Sequence, residues 1–145
     1  MRLRGAILYV SKRYRVPMRT EGMKKPMNCC WCTITTEKLD ESVKFYKEAV
    51  GLSEERRFSP APGTEIAFLK DGNGFEIELL QNGRPGGARE GISLGFEVES
   101  LADTLALVKS KNISAFGGPT KVPGCSFFFV KDPNGVSVQF VEKDR

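Results

Sequence analysis

The chain has 145 residues, 40% hydrophobic and 28% charged, with four cysteines and no histidine. That is enough chain to bury one apolar interior, and the missing imidazole excludes Ser-His-Asp and Cys-His triads, His-rich zinc sites and HExxH chemistry. The net charge of +4 is uneven: residues 1–27 hold eight basic side chains against Glu21, while residues 28–145 hold 14 basic and 17 acidic groups.

In chain order, residues 1–27 read as a basic N-terminal extension, either poorly ordered or an upstream start that precedes a true beginning near Met23. The apolar run at residues 5–10 is followed at once by Ser11-Lys12-Arg13, too short for a signal peptide or a membrane span. The mildly acidic body offers no basic patch for nucleic acid. Cys29-Cys30-Trp31-Cys32 contains a CxxC spacing. It leads into a strand-like run instead of a helix N-terminus, so the thiols read as buried and structural, in a reducing compartment that suggests the cytoplasm.

The body is read as two copies of one pattern, at about residues 28–82 and 91–142. In the first, a strand over 29–36 precedes a helix over 39–50, whose Leu39, Val43, Tyr46 and Val50 recur at helical spacing before Gly51. Strands follow over 52–59, 64–70 and 74–81, the last two joined by the turn Asp71-Gly72-Asn73-Gly74. Residues 82–87 form a turn-rich linker. The second copy opens with a strand over 92–99 and a capping-box-like helix start at Ser100, with Leu101, Leu105 and Val108 as the apolar stripe. Strands over 113–116, 125–131 and 136–141 complete it, with the turn Asp132-Pro133-Asn134-Gly135 before the last. The two turns stand 61 positions apart in the sequence, which is repeat spacing. The predicted fold is α+β: two tandem βαβββ modules forming curved mixed sheets around a cleft, with helices on the outer faces.

Alternation assigns the faces. Ile34, Ile77, Leu79, Leu94, Phe96, Val138 and Phe140 fall on the helix-facing sides. Trp31, Thr33, Glu76, Glu78, Ser93, Glu97 and Gln139 fall on the polar sides and are the predicted ligand-binding residues.

Three stretches carry a resemblance. Trp31 to Thr36 with the helix Leu39-Asp40-Glu41-Ser42-Val43-Lys44-Phe45-Tyr46, the strands around Glu78 and Gly95, and Asp132-Pro133-Asn134-Gly135 running to Phe140 resemble the vicinal-oxygen-chelate superfamily. That superfamily holds glyoxalase I, bleomycin-resistance proteins and extradiol dioxygenases, and the resemblance covers about residues 28–142. Its metal-using members imply four ligand positions, which fall here on Trp31, Glu78, Ser93 and Gln139. Only Glu78 has a charged donor, so no metal ligand set and no cofactor is expected. The resemblance instead implies a protein that binds a small organic ligand, favouring a cationic or amine-bearing one because of Glu76, Glu78 and Glu97, and that forms a homodimer. The alternative it implies is a glyoxalase-I-like lyase or isomerase with Glu78 as the catalytic general base and an atypical or weak metal site.

Overall fold

A computed structural model describes residues 30–86 and 92–144. The expectations for residues 1–27 and for Cys29 lie outside the described residues. Each copy of the repeat forms a four-stranded mixed sheet. In the first, β1 (Trp31–Thr35), α1 (Leu39–Phe45), β2 (Ser53–Ala61), β3 (Thr64–Lys70) and β4 (Glu76–Gln81) give the spatial order β1-β4-β3-β2. In the second, β5 (Ser93–Glu97), α2 (Leu101–Ser110), β6 (Ala115–Val122), β7 (Cys125–Lys131) and β8 (Ser137–Lys143) repeat it as β5-β8-β7-β6. β1 pairs with β4, and β5 with β8, in parallel; the other pairings are antiparallel. A parallel pair requires a long connection, and here it runs through the helix and the two strands that follow it. The α+β architecture of two tandem βαβββ modules is therefore as the sequence predicts.

The turns that marked the repeat are built alike. Asp71 Oδ1 accepts the N–H groups of Asn73 and Phe75, each at 2.8 Å. Asp132 Oδ1 accepts those of Asn134 and Val136, also at 2.8 Å. An Asx side chain that satisfies its own turn fixes the hairpin register, and with it the face each residue takes.

Two elements differ from expectation. The helix predicted over 39–50 is α-helical only to Phe45 and widens to a π-helical turn over Tyr46–Val50. Consecutive Phe45 and Tyr46 are both buried, at an edge-on ring separation of 5.1 Å. Gly51, at φ 84°, ends the turn, and Leu52 N–H reaches back to the Tyr46 carbonyl at 2.9 Å. The strand predicted over 113–116 starts later and runs on to Val122 through Gly117-Gly118-Pro119. As the edge of its sheet, it accommodates those residues with register shifts.

The apolar faces of both sheets meet α1 and α2 in one buried cluster, including Ile34, Ile77 and Leu79 from the first module and Phe128, Val138 and Phe140 from the second. Polar bonds on the helix side link the modules. Tyr46 Oη donates to Asp132 Oδ2 at 2.9 Å, Asn134 Nδ2 to Ser42 Oγ at 3.0 Å, and Lys111 Nζ to Glu48 at 3.0 Å. Cys32 packs against the core, but Cys30 is exposed, which corrects the expectation of buried thiols at that position: it precedes β1 and has no sheet over it. Among the described residues no helix is long and apolar enough to cross a membrane.

Candidate functional site

The polar sheet faces, left uncovered by the helices, carry the predicted site residues. Parallel pairing of β1 with β4 sets Trp31 beside Glu76 and Thr33 beside Glu78, so these four form one contiguous patch. The Thr33 hydroxyl donates to Glu78 Oε2. Ser93, Glu97 and Gln139 sit on the second sheet, where Ser93 opposes Ser137 and Gln139 opposes Gly95. The structure thus divides the seven residues into a group of four and a group of three.

Register also brings in residues that alternation did not single out. Phe68 of β3 lies across from Glu78 and across from Arg56 of β2. Its ring meets Trp31 edge-on at 5.7 Å, stacks with Phe58 at 6.5 Å, and carries the Arg56 guanidinium 3.7 Å above its centroid. Phe68 is buried although it lies on the face away from the core. The run Ile66-Ala67-Phe68-Leu69 is apolar throughout, so parity alone gives it no polar side. The three aromatics lie on different strands at different register levels, so their meeting appears only once the strands are paired.

Arg56 also pairs with Glu76, its Nη1 at 3.0 Å from Oε1 and its Nη2 at 3.4 Å from Oε2. Glu97 pairs with Lys143 at 2.5 Å, which holds the lysine above its ordinary value, first through that hydrogen bond and then through the carboxylate charge. Two of the three predicted acids are therefore compensated. Glu78 has no ion pair with a described residue and is half-buried, with the Thr33 hydroxyl as its partner.

The four positions at which the resemblance implies metal ligands make a poor donor set. Trp31 offers only an N–H, Ser93 and Gln139 are neutral, and Glu78 is the single charged donor. Among the described residues no group of three or more His, Cys, Asp or Glu side chains is placed to hold a metal ion. These residues do not fit a tightly bound transition metal, which calls for several charged or imidazole ligands.

Two depressions are lined by described residues. One, of about 420 Å³, lies on the helix side, between the end of α1 and the segment after α2, and includes Glu48, Lys111 and Pro133. The other, of about 240 Å³, lies on the second sheet between Ser93, Phe116, Phe129 and Ser137. The first contains none of the predicted residues; the second contains Ser93.

Comparison with known proteins agrees with this geometry. The model of the Glyoxalase/Bleomycin resistance protein/Dioxygenase superfamily matches residues 30–140. Lactoylglutathione lyase of Haemophilus influenzae is 31% identical over 113 residues, covering 72% of this chain and 84% of that protein. Lactoylglutathione lyase GLX1 of Arabidopsis thaliana is also 31% identical, over 114 residues, and the chain spans 40% of its length. Among solved structures, a glyoxalase family protein from Bacillus cereus superposes with a TM-score of 0.72 at 18% identity, over 86% of this chain and 99% of that one. TnmS3, an antibiotic binding protein from a Streptomyces species, superposes with a TM-score of 0.69 at 13% identity, over 84% and 100%. At these identities the two structures speak to the fold alone.

Proposed function

The chain belongs to the glyoxalase/bleomycin resistance protein/dioxygenase superfamily, and we propose that it works there as a small-molecule-binding protein without a tightly held transition metal. Its ligand lies on the uncovered sheet faces, held by Trp31, Thr33, Glu76, Glu78, Ser93, Glu97 and Gln139. The observation that carries this reading is Glu78: a half-buried carboxylate, oriented by Thr33 and flanked by aromatic surface, with no ion pair among the described residues. Such an acceptor favours a cationic or amine-bearing guest. Glu76 and Glu97, already paired, contribute shape and polarity more than charge. We take the protein to act as a cytoplasmic homodimer, with a small organic molecule as its partner.

A thermal-shift screen with cationic drugs, amines and thiol adducts tests this. A ligand that binds only the folded state at 100 times its Kd adds about 2.7 kcal/mol. An amine should raise the melting temperature of the wild type and not of Glu78→Gln. No shift from any class, or stoichiometric zinc, nickel or iron in the purified protein, would overturn the proposal.

The similarity to lactoylglutathione lyases favours a second reading, a lyase or isomerase in which Glu78 takes a proton next to a carbonyl. Ser93, Gln139 or backbone N–H groups would then have to stabilise the enolate oxygen. Glu78→Gln should abolish such an activity, and full retention would remove Glu78 as the base.

A further inference from the structure

The two sheet faces are repeats of one another, and the register shows where they part. Strand pairing makes Trp31 equivalent to Ser93, Arg56 to Gly117, Phe68 to Phe129, Lys70 to Lys131, Glu76 to Ser137 and Glu78 to Gln139. On the first sheet Trp31 and Arg56 close over Phe68 and bury it. On the second, a serine and a glycine take those two places, and the hollow of about 240 Å³ opens beside Phe129. Phe116 forms its other wall, 56% exposed, with its ring 5.7 Å from that of Phe129. An exposed aromatic pair around a concavity is surface that a ligand can cover.

The same comparison changes the charge: Arg56, Lys70, Glu76 and Glu78 balance on the first sheet, whereas of their equivalents on the second Lys131 alone is charged. Lys70 stands opposite Glu76, whereas Lys131 stands opposite Ser137 and donates to its hydroxyl at 2.7 Å. The Lys131 ammonium also lies 5.0 Å from the Phe116 ring centroid, so it is held at the mouth of the hollow. Among the described residues no carboxylate pairs with it. The Glu97–Lys143 pair farther along the face is internally neutral.

We propose that this hollow is a site for a planar aromatic group bearing a carboxylate or similarly compact anion. The ring lies against Phe116 and Phe129, and the anion meets Lys131 Nζ and the Ser137 hydroxyl. At about 240 Å³ the hollow is smaller than the roughly 300–1,000 Å³ of drug-sized sites, so it suits one ring system. The inference rests on the reading above only in taking the sheet faces as the ligand-bearing side. Its ligand charge is different, and of the residues named there its lining shares Ser93.

Calorimetric titration of the full chain with 2-naphthoate and its neutral isostere 2-naphthamide tests it. One naphthoate should bind per chain, at least tenfold more tightly than the amide. Lys131→Gln and Phe116→Ala, both at exposed positions, should each weaken naphthoate at least tenfold, while Glu78→Gln leaves it unchanged. No saturable heat, equal affinity for acid and amide, or no effect of Lys131→Gln would overturn the site. Loss of naphthoate binding in Glu78→Gln would move the ligand to the first sheet, against this inference and in favour of the Glu78 site. Naphthoate binding without any amine shift would leave this site standing and the Glu78 reading refuted.

Discussion

Tyr46→Phe removes the hydroxyl from one of the polar bonds that tie the two modules together. Tyr46 is fully buried and Asp132 is 4% exposed, with 2.9 Å between Oη and Oδ2. The phenylalanine ring occupies the same space, so the loss is one donor to a carboxylate. Asp132 keeps the N–H groups of Asn134 and Val136 at 2.8 Å and the Asn134 amide at 3.2 Å. A hydrogen bond to a charged group contributes about 1.5–3 kcal/mol. For a domain of this size each kcal/mol moves the melting midpoint by about 3–5 °C. Tyr46→Phe should therefore lower it by roughly 5–15 °C, with one cooperative transition retained in urea followed by circular dichroism. Asp71 is an internal control, because it makes the same two turn bonds in the first module but is only half-buried and is not a partner of Tyr46. Asp132→Ala should cost more than Asp71→Ala. A Tyr46→Phe protein within about 0.5 kcal/mol of wild type, or equal costs for the two aspartates, would refute the coupling.

Gly118→Ala should be among the most damaging exposed substitutions, since the added Cβ would sit 2.5 Å from the Phe127 carbonyl oxygen and 2.9 Å from Phe128 Cα, at φ +91°. Overpacking and left-handed strain together predict a loss of about 3 kcal/mol or more, against about 1–2 for Gly124→Ala, which has a similar φ and nothing within 4 Å; equal losses by urea denaturation would count against a steric cause. Glu48 is held below its ordinary 4.5, first by the Lys111 hydrogen bond. A carboxyl lowered on folding stabilises above its ordinary value and ceases to do so as pH falls through the folded one. The melting difference between wild type and Glu48→Gln should be present at pH 7, shrink in high salt and fade as pH falls below the ordinary carboxyl range; a difference unchanged at low pH would argue against the ion pair.

The strands were legible in the sequence wherever one face is apolar and the other polar, as in Phe75-Glu76-Ile77-Glu78-Leu79, because parity then fixes both strand and face. The turns at Asp71 and Asp132 were legible for a local reason: the aspartate and the glycine three residues on satisfy the turn without help from the rest of the chain. β6 was hidden because Gly117-Gly118-Pro119 reads as a break, and only its place at a sheet edge makes it a strand. In the site, Trp31, Thr33 and Glu78 were found by parity. Arg56, Phe58 and Phe68 were not, because their meeting depends on the register of β2 against β3, and bulges near Glu54 and Phe58 shift that register.

Charge shows the same limit more sharply. Counting acids on the polar faces predicts one anionic surface, since Glu76, Glu78 and Glu97 all fall there. Pairing changes the sum: Arg56 takes Glu76 and Lys143 takes Glu97. Across the repeat, Glu76 and Glu78 give way to Ser137 and Gln139 while Lys70 remains a lysine, Lys131. Two negative charges are lost between the faces and one positive charge, Arg56, gives way to Gly117, so the balance moves by one charge toward positive. Among the described residues, Glu78 is the acid of the first-sheet patch without an ion pair, and Lys131 on the second sheet has no carboxylate partner. The two proposals therefore make opposite demands on a singly charged ligand: a cation for the Glu78 patch and an anion for the Lys131 hollow.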